Sequence, residues 1–483
     1  MERDDRIQRL ETLRKEGIDP YPAQSNRTHT VAAALLDFEK LAEAKTSLTL
    51  TGRLKSRRAQ GKACFADLED ESGKLQLFAR ADELSTMNYE LLTALLDIGD
   101  IIQATGILFT TKKGEKTLQL SDIKILTKSL LPLPEKWHGL EDVEVRFRQR
   151  YLDLIANPEV REIFRKKSRM ITAVRDFFNK KGYLEVDTPI LQPLAGGATA
   201  RPFITHHNAL NTDLYLRIAP ELYLKRLLVG GFEKIYEISR CFRNEGIDRS
   251  HNPEFTQVEF YEAYRDYTYY MTLIEEFMAE ITTSVTGSTK VNYEDTVLDF
   301  TPPYPRRTYR EVIQEYAHID INDYPDRNSL AQAAETQGVK IAPEWGRGEI
   351  MDELFKKVAG KHLVQPTFII DHPIELSPLT KKKQNYPQFV ERFQLVVKSM
   401  EIVNTFSELN DPLDQRARFE EQEKLRGSGN EEAQRLDEDF LTALEHGMPP
   451  AAGCGIGLDR LATILTGVHS IKEIILFPTL KPK

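Results

Sequence analysis

At Leu48 the hydrophobic period of the chain changes from helical spacing to strict alternation, and this constrains the fold more than any other local feature. Leu48-Thr49-Leu50-Thr51-Gly52-Arg53-Leu54, Ala63-Cys64-Phe65-Ala66-Asp67-Leu68 and Leu75-Gln76-Leu77-Phe78 alternate as half-buried strands do. A helical stretch from Glu90 to Leu96 follows, and residues 101–106 and 118–125 complete five strands. Leu131-Pro132-Leu133-Pro134 ends the pattern, because proline gives no donor to a ladder. Upstream, Ile7, Leu10 and Leu13 recur at helical spacing until Gly17-Ile18-Asp19-Pro20-Tyr21-Pro22, so residues 1–45 read as a helical extension. Its Arg3, Arg6, Arg9, Arg14 and Lys15 fit a solvated face as well as they fit nucleic-acid contact.

Five short strands with one helix between the third and fourth form the OB-barrel pattern, whose strand face and loops commonly bind oligonucleotides. Another small barrel satisfies the same pattern. Residues 46–130 are therefore a barrel domain and 131–157 a linker. Beyond it, Asn157-Pro158 offers an N-cap and a first-turn proline, and Gly182 a stop. Between them Phe164, Ile171 and Phe178 sit seven apart, joined by Ile163, Met170, Val174 and Phe177 in one apolar stripe. The rest, to Lys483, alternates helical and strand-like runs without an internal repeat. Residues 286–390 are turn-rich, with helix candidates at 330–337 and 351–358.

Length and composition narrow the class. At 483 residues, with 41% hydrophobic and 29% charged residues, the chain is an ordinary soluble globular type of two to four domains. No apolar run approaches a membrane span, and the charged start Met1-Glu2-Arg3-Asp4-Asp5-Arg6 is no secretory signal. Cys64, Cys241 and Cys454 are too far apart for a metal knuckle and favour a reducing compartment. A net charge of −9 means that any polyanion must be met by local basic patches.

The chemistry concentrates in three segments. Residues 236–246 and 252–261 read as two strands joined by a polar loop, with Phe255, Gln257, Glu259 and Tyr261 on one face and Arg243 and Glu245 together near the loop. Arginine's planar fork suits a phosphate or carboxylate, and a flat aromatic suits a purine. A surface hairpin with cross-strand ion pairs is the bland alternative, but these side chains would serve no core purpose. In Met400–Asp411, Asn404 and Glu408 share strand parity and Glu401 has the opposite one. Glu259 and Glu408, with the Tyr261 hydroxyl, can satisfy the three donors of an ammonium. Gly453-Cys454-Gly455-Ile456-Gly457-Leu458-Asp459-Arg460 reads as a glycine-rich turn entering a helix, suited to close approach of an anion. No Ser-His-Asp or Cys-His arrangement is evident, and His206-His207 read as surface residues.

These strings resemble class II aminoacyl-tRNA synthetases. Phe242-Arg243-Asn244-Glu245-Gly246 is similar to motif 2, Gly455–Arg460 to motif 3, and Gly182–Pro189 to motif 1. Ala219-Pro220-Glu221-Leu222-Tyr223, His251–Thr256, Phe406-Ser407-Glu408-Leu409-Asn410-Asp411 and Lys136-Trp137-His138-Gly139-Leu140 resemble the lysyl-tRNA synthetase family. The resemblance spans essentially the whole chain. It implies an α+β protein with an N-terminal OB-fold anticodon domain and a catalytic domain, 158–483, on a mainly antiparallel six-stranded sheet flanked by helices, with a helical insertion at about 300–385. It further implies lysine, ATP and tRNA(Lys) as substrates, magnesium with more than one ion per site, a homodimer through motif 1, and a cytoplasmic location.

Position by position, the resemblance implies that Gly197 and Glu221 hold the α-amino group of lysine. Glu259, Tyr261 and Glu408 would hold its ε-ammonium, with Asn404 beside its carboxylate. Arg243 would contact that carboxylate and the α-phosphate; Phe255 would stack on adenine, with Glu245 and His251 near the nucleotide. Arg460 would hold the γ-phosphate end, which makes Arg243, Glu245 and Arg460 the catalytic set. Glu401 would bind metal, and Arg58, Phe65 and Gln76 the anticodon. The chain departs from the family at Gln394, where a second metal-binding glutamate is usual, at Val403, Thr405, Ala451 and Ala452, where glycines are common, and at Ser250, where arginine is frequent. A relative that binds tRNA without charging it, and one that modifies a protein, are the alternatives. The barrel speaks against the second, and paired carboxylates against an aspartyl or asparaginyl enzyme.

Overall fold

The computed structural model describes residues 2–134, 140–343, 345–427 and 433–482. The string Lys136-Trp137-His138-Gly139 lies outside the described residues. The chain divides into Met1–Glu141 and Asp142–Lys483, each with its own apolar interior.

In the first unit, α1 (Glu2–Lys15), α2 (Val31–Leu36) and α3 (Phe38–Glu43) precede the barrel. The helix expected through residue 45 is thus interrupted. Residues 18–30, which carry Pro20 and Pro22, are not helical, and the Thr28 amide donates to the Thr49 carbonyl at 2.9 Å. Strands β1 (Leu48–Gln60), β2 (Ala63–Glu69), β3 (Lys74–Arg80), β4 (Ile101–Thr110) and β5 (Lys116–Thr127) close in the order β1-β2-β3-β5-β4. Between β3 and β4, α4 (Thr86–Glu90) starts four residues before the expected helix because Ser85 caps it. A π-turn, Leu91–Leu95, continues it and seats Leu91, Leu92 and Leu95 in the barrel core.

The second unit opens with α5 (Val143–Arg148), α6 (Arg150–Ala156) and α7 (Pro158–Lys180). Pro158 takes the first helical turn, but Asn157 makes no capping bond: its amide donates to Asp153 at 2.7 Å instead. Next come β6 (Leu184–Glu185), β7 (Leu191–Gln192), β8 (Ile204–His207), β9 (Thr212–Leu216), α8 (Glu221–Val229), β10 (Lys234–Phe242), β11 (Glu254–Ala263) and α9 (Tyr267–Thr286). Then follow β12 (Lys290–Tyr293), β13 (Thr296–Asp299), β14 (Arg306–Thr308), α10 (Tyr309–Ala317), α11 (Arg327–Thr336) and α12 (Arg347–Leu354). The chain ends with β15 (Thr367–Ile370), β16 (Arg392–Val397), β17 (Met400–Ser407), α13 (Pro412–Gly427), α14 (Glu438–Glu445), β18 (Ala451–Gly457) and α15 (Leu458–Thr466).

One sheet organises this unit, in the order β14-β15-β16-β17-β18-β11-β10-β6. The six strands from β15 to β10 pair antiparallel, as the resemblance implies, and a strand running parallel to its neighbour extends each edge. Helices α7, α9 and α15 cover one face. There Phe178, fully buried, meets Phe260 at 4.7 Å, Tyr236 at 4.8 Å and Tyr183 at 5.3 Å between ring centroids. Helices α10 to α12 keep a separate core around Tyr309, Ile350 and Leu354. Phe178→Ala is expected to destabilise this unit by about 3–5 kcal/mol, because the rigid ring cluster cannot collapse into the cavity. A fall in the urea midpoint at unchanged slope would register it.

Candidate functional site

The open face of the sheet carries a cavity of about 840 Å³. Alternation assigns its lining. On β11, Val258 and Phe260 face the helices, while Phe255, Gln257, Glu259 and Tyr261 face the cavity. On β18, Ala452 and Ile456 face the core, and Gly453, Gly455 and Gly457 line the cavity. The glycine-rich turn expected at Gly453–Gly457 is therefore a strand, and α15 begins only at Leu458. Crowding explains the glycine: a Cβ on Gly453 would lie 2.2 Å from Glu408 Oε1 and 2.3 Å from Tyr261 Cε1.

Three buried carboxylates meet here: Glu221 and Glu259 line the cavity, and Glu408, outside that lining, packs against Gly453 and Tyr261. Glu221, at the start of α8, is 6% exposed, Glu259 6% and Glu408, just past β17, 1%. Glu259 Oε1 accepts from Gln257 at 2.6 Å and Oε2 from the Tyr261 hydroxyl at 3.2 Å. Burial, then the nearby Glu221 and Glu237, pushes Glu259 well above the ordinary carboxylate range, against the Tyr261 hydrogen bond. Glu237, opposite Glu259 in register, is already paired with Arg217 at 2.5 Å. Glu408 Oε1 is buried with no hydrogen-bond partner among the described residues. Gly197, at φ +87°, lies against Glu221, whose Cβ would stand 2.9 Å from a Cβ placed there.

Arginines gather at the other end. β10 stops at Phe242, so Arg243 and Glu245 lie beyond the strand rather than on it, both at the cavity. The Arg243 guanidinium sits 5.0 Å above the Phe255 ring, and its Nε is buried without a hydrogen-bond partner among the described residues. Arg460 donates to the Glu401 carbonyl at 2.9 Å and lies 3.0 Å from His251 Nε2. His251 Nδ1 lies 2.8 Å from Asp248, so a neutral ring with its proton on Nδ1 satisfies both neighbours. Burial lowers the pKa of Arg460, and Glu401 opposes that shift. Asp459 bridges Lys167 of α7, at 2.7 Å, and the Thr256 amide, at 2.7 Å, fixing where the helix meets β11.

Glu401 reaches the cavity despite its opposite parity to Asn404. Leu395 pairs with Val403 but Val396 with Glu401, so β17 carries one extra residue, and the bulge re-aims Glu401 to the side of Asn404. Gln394 donates its amide to Glu401 Oε2 at 2.7 Å and turns its oxygen toward His372 Nε2 at 3.2 Å. Gln394 thus presents NH₂ rather than oxygen to Glu401. Burial, then Arg392, holds His372 well below the usual imidazole value, neutral and able to donate from Nε2. Arg392 donates to Asn404 Oδ1 at 2.8 Å, which leaves the Asn404 NH₂ as its donor. Of the departures from the family pattern, Val403 and Thr405 are fully buried and Ser250 lines the cavity. Arg249 turns away to the His469 carbonyl, at 2.7 Å, and to Glu294.

On the barrel, Phe65 pairs in register with exposed Arg58 on one side and with Phe78 on the other. The Phe65 and Phe78 rings are 4.8 Å apart, and Phe109 continues the row at 5.9 Å from Phe78. Gln76, on the same outward parity, accepts from Thr117 at 3.0 Å. His206 and His207 lie on the exposed strand β8, with His206 beside Asp213 at 2.8 Å.

Sequence reasoning missed Lys225, Arg392 and Phe78. Lys225 had one available signal, its i+4 spacing from Glu221. Phe78 repeats the outward parity of Gln76. Nothing local marks Arg392.

Comparison with known proteins agrees with this architecture. The family described as tRNA synthetases class II (D, K and N) matches residues 142–481, and that described as OB-fold nucleic acid binding domain matches 48–126. A lysine–tRNA ligase of Moorella thermoacetica is 51% identical over 99% of this chain and 97% of its own length. One of Pelotomaculum thermopropionicum is 50% identical over 99% and 94%, and one of Dehalococcoides mccartyi 49% over 99% and 97%.

Gly453→Ala is expected to cost about 1–3 kcal/mol through overpacking against Glu408 and Tyr261. Gly455→Ala, whose Cβ would have its nearest contact at 3.7 Å, is the control expected to leave the calorimetric melting temperature unchanged.

Proposed function

The chain belongs to the class II aminoacyl-tRNA synthetases, as a lysine–tRNA ligase, and from that membership we propose which of its residues perform each part of the reaction. The enzyme joins lysine to ATP, forming lysyl-adenylate and pyrophosphate, and transfers the lysyl group to tRNA(Lys). In the first step a lysine carboxylate oxygen bonds to the α-phosphorus as the bond to the β-phosphate oxygen breaks. In the second the terminal ribose hydroxyl of the tRNA takes the acyl group and AMP leaves. Neither step needs a protein nucleophile. Positioning and charge stabilisation carry the catalysis.

One observation carries the assignment of lysine: the buried, unpartnered Glu408 Oε1 beside Tyr261, with Glu259 and Glu221 close by. An ammonium group supplies the missing donors. In this reading Glu408, Glu259 and Tyr261 take the ε-ammonium, and Glu221 and Gly197 the α-amino group. Asn404, with its NH₂ exposed to the cavity by Arg392, donates to the lysine carboxylate. A side chain without the ammonium would leave the buried acids unpaired, a penalty of roughly 10⁴–10⁵ in comparable polar sites.

Arg243 serves the carboxylate and the α-phosphate, which fits its unpartnered Nε. Phe255 stacks on adenine, Glu245 and His251 lie by the nucleotide, and Arg460 holds the γ-phosphate end. Arg243, Glu245 and Arg460 form the catalytic set. Magnesium is usually held by one or two carboxylates together with substrate phosphates. The Glu401 carboxylate at the arginine end fits such an ion, and Gln394 acts through its hydrogen bond to Glu401. When bound with ATP, the ion supplies neutralisation of phosphate charge.

Residues 46–130 form the anticodon-reading domain in this assignment, with Arg58, Phe65 and Gln76 on the outward barrel face and Phe78 added to them. Residues 158–483 carry catalysis. A homodimer through Gly182–Pro189 is supported by the exposed Leu184 there and by Ile190 and Leu191 just beyond it. No helix among the described residues is long and apolar enough to cross a membrane. Three free, buried cysteines accord with the cytoplasm.

Purified protein should catalyse lysine-dependent ATP–pyrophosphate exchange; a folded protein without exchange contradicts the assignment and favours a tRNA-binding relative. Glu408→Gln is expected to raise the lysine KM about 10²-fold with the ATP KM within about two-fold. Equal losses would contradict its role. Phe65→Ala should lower tRNA charging and leave exchange untouched, whereas a parallel fall in both would make the barrel's part structural.

A further inference from the structure

The wall of three carboxylates also holds a cation of the protein's own. Lys225, on α8 and fully buried, places Nζ 2.7 Å from Glu221 Oε1 and 2.5 Å from Glu408 Oε2. Its ammonium also lies 5.4 Å from the centroid of the Phe406 ring. Among the described residues no other basic group comes within ion-pair distance of Glu221 or Glu408. This leaves the two oxygens of Glu408 in different states. Neither has a well-formed hydrogen bond among the described residues, but Oε2 is in ion-pair contact with Lys225, while Oε1 is not and crowds the Cβ position of Gly453, which lines the cavity.

We propose that Lys225 is a positioning residue for lysine recognition: its ammonium pairs with Oε2 of Glu408, offsetting part of the cost of a buried carboxylate and orienting it so that Oε1 is left for the ε-ammonium of the substrate. The inference rests on the assignment of Glu408 to the substrate side chain. The physical need is plain. An isolated carboxylate at this depth would take up a proton, and a neutral carboxyl has lost the charge that selects an ammonium. Glu221 from α8 and Glu259 and Tyr261 from β11 add no positive charge to the region. Arg392 from β16 faces Glu221 but spends its hydrogen bonds on Asn404, Ser377 and the Leu376 carbonyl. Gly453 of β18 brings no charge. Burial, and after it Glu221, raise Glu408 to about 8 even with Lys225 pulling the other way, so without Lys225 it would lie higher still. The same two acids outweigh the effect of burial on Lys225 and keep it charged.

The sign of the pH effect follows. Removing Lys225 removes the one influence that lowers the Glu408 value, so ionisation moves to higher pH. Lys225→Met is expected to raise the lysine KM about ten-fold or more at pH 7, with the ATP KM within about two-fold. The lysine KM of the variant should fall more steeply than that of the unsubstituted enzyme as pH rises from 7 to 9. An unchanged lysine KM, or a parallel rise for both substrates with the same pH profile, would overturn the proposal. Should Lys225→Met not fold, the double substitution K225M/E408Q, which leaves no Glu408 charge unpaired, is compared with Glu408→Gln alone. Equal lysine KM values, within about two-fold, are expected if Lys225 acts through Glu408, and a clear difference would overturn it. Lysine-dependent exchange by the unsubstituted enzyme separates the outcomes. Its absence defeats the reading of the site, whereas its presence with an indifferent Lys225→Met defeats this inference alone.

Discussion

Burying like charges is the constraint around which the second unit is arranged. Glu221, Glu259 and Glu408 come from a helix start, the middle of one strand and the end of another, and all three are withdrawn from water. Such a cluster is unfavourable unless donors and cations compensate it. Gln257, Tyr261 and Lys225 supply part of that compensation, and in the proposed assignment the amino acid substrate supplies the rest. On that assignment the uncompensated acids are a source of selectivity, because only a ligand with ammonium groups in the right places pairs them.

The rest of the architecture keeps those acids in place. β11, which shows Glu259 to the cavity, and β18, which shows it glycines, bury Val258, Phe260, Ala452 and Ile456 against α7, α9 and α15 on the opposite face. Register is therefore doubly enforced: a one-residue slip would bury a charge among aromatic rings and expose those rings to the cavity. Asp459 ties this packing to the site. It joins α7 through Lys167 and β11 through the Thr256 amide one residue before Arg460.

Much of this was legible in the chain. The alternation after Leu48 marks the barrel, and the parity of Phe255, Gln257, Glu259 and Tyr261 places all four on one face, where the structure has them. Other features were not. Strand parity alone sets Glu401 opposite Asn404, but a single extra residue in β17 brings it to the same side, and no residue type announces a bulge there. Gly453–Gly457 resembled a turn because glycine usually marks one. Here the glycines sit in a strand, and at Gly453 the reason is two side chains distant in sequence that occupy the space of a Cβ.

By itself the sequence determined the periodicities, the motif strings and thus the family, since these depend on residues a few positions apart. Only the tertiary structure decided that Lys225 stands between Glu221 and Glu408, that Arg392 sets the Asn404 amide, and that Phe78 extends the aromatic row on the barrel. Each of these joins separate elements of the fold. A contact between elements depends on strand register and helix placement, which are fixed when the whole core packs and have no signature in any short stretch of chain.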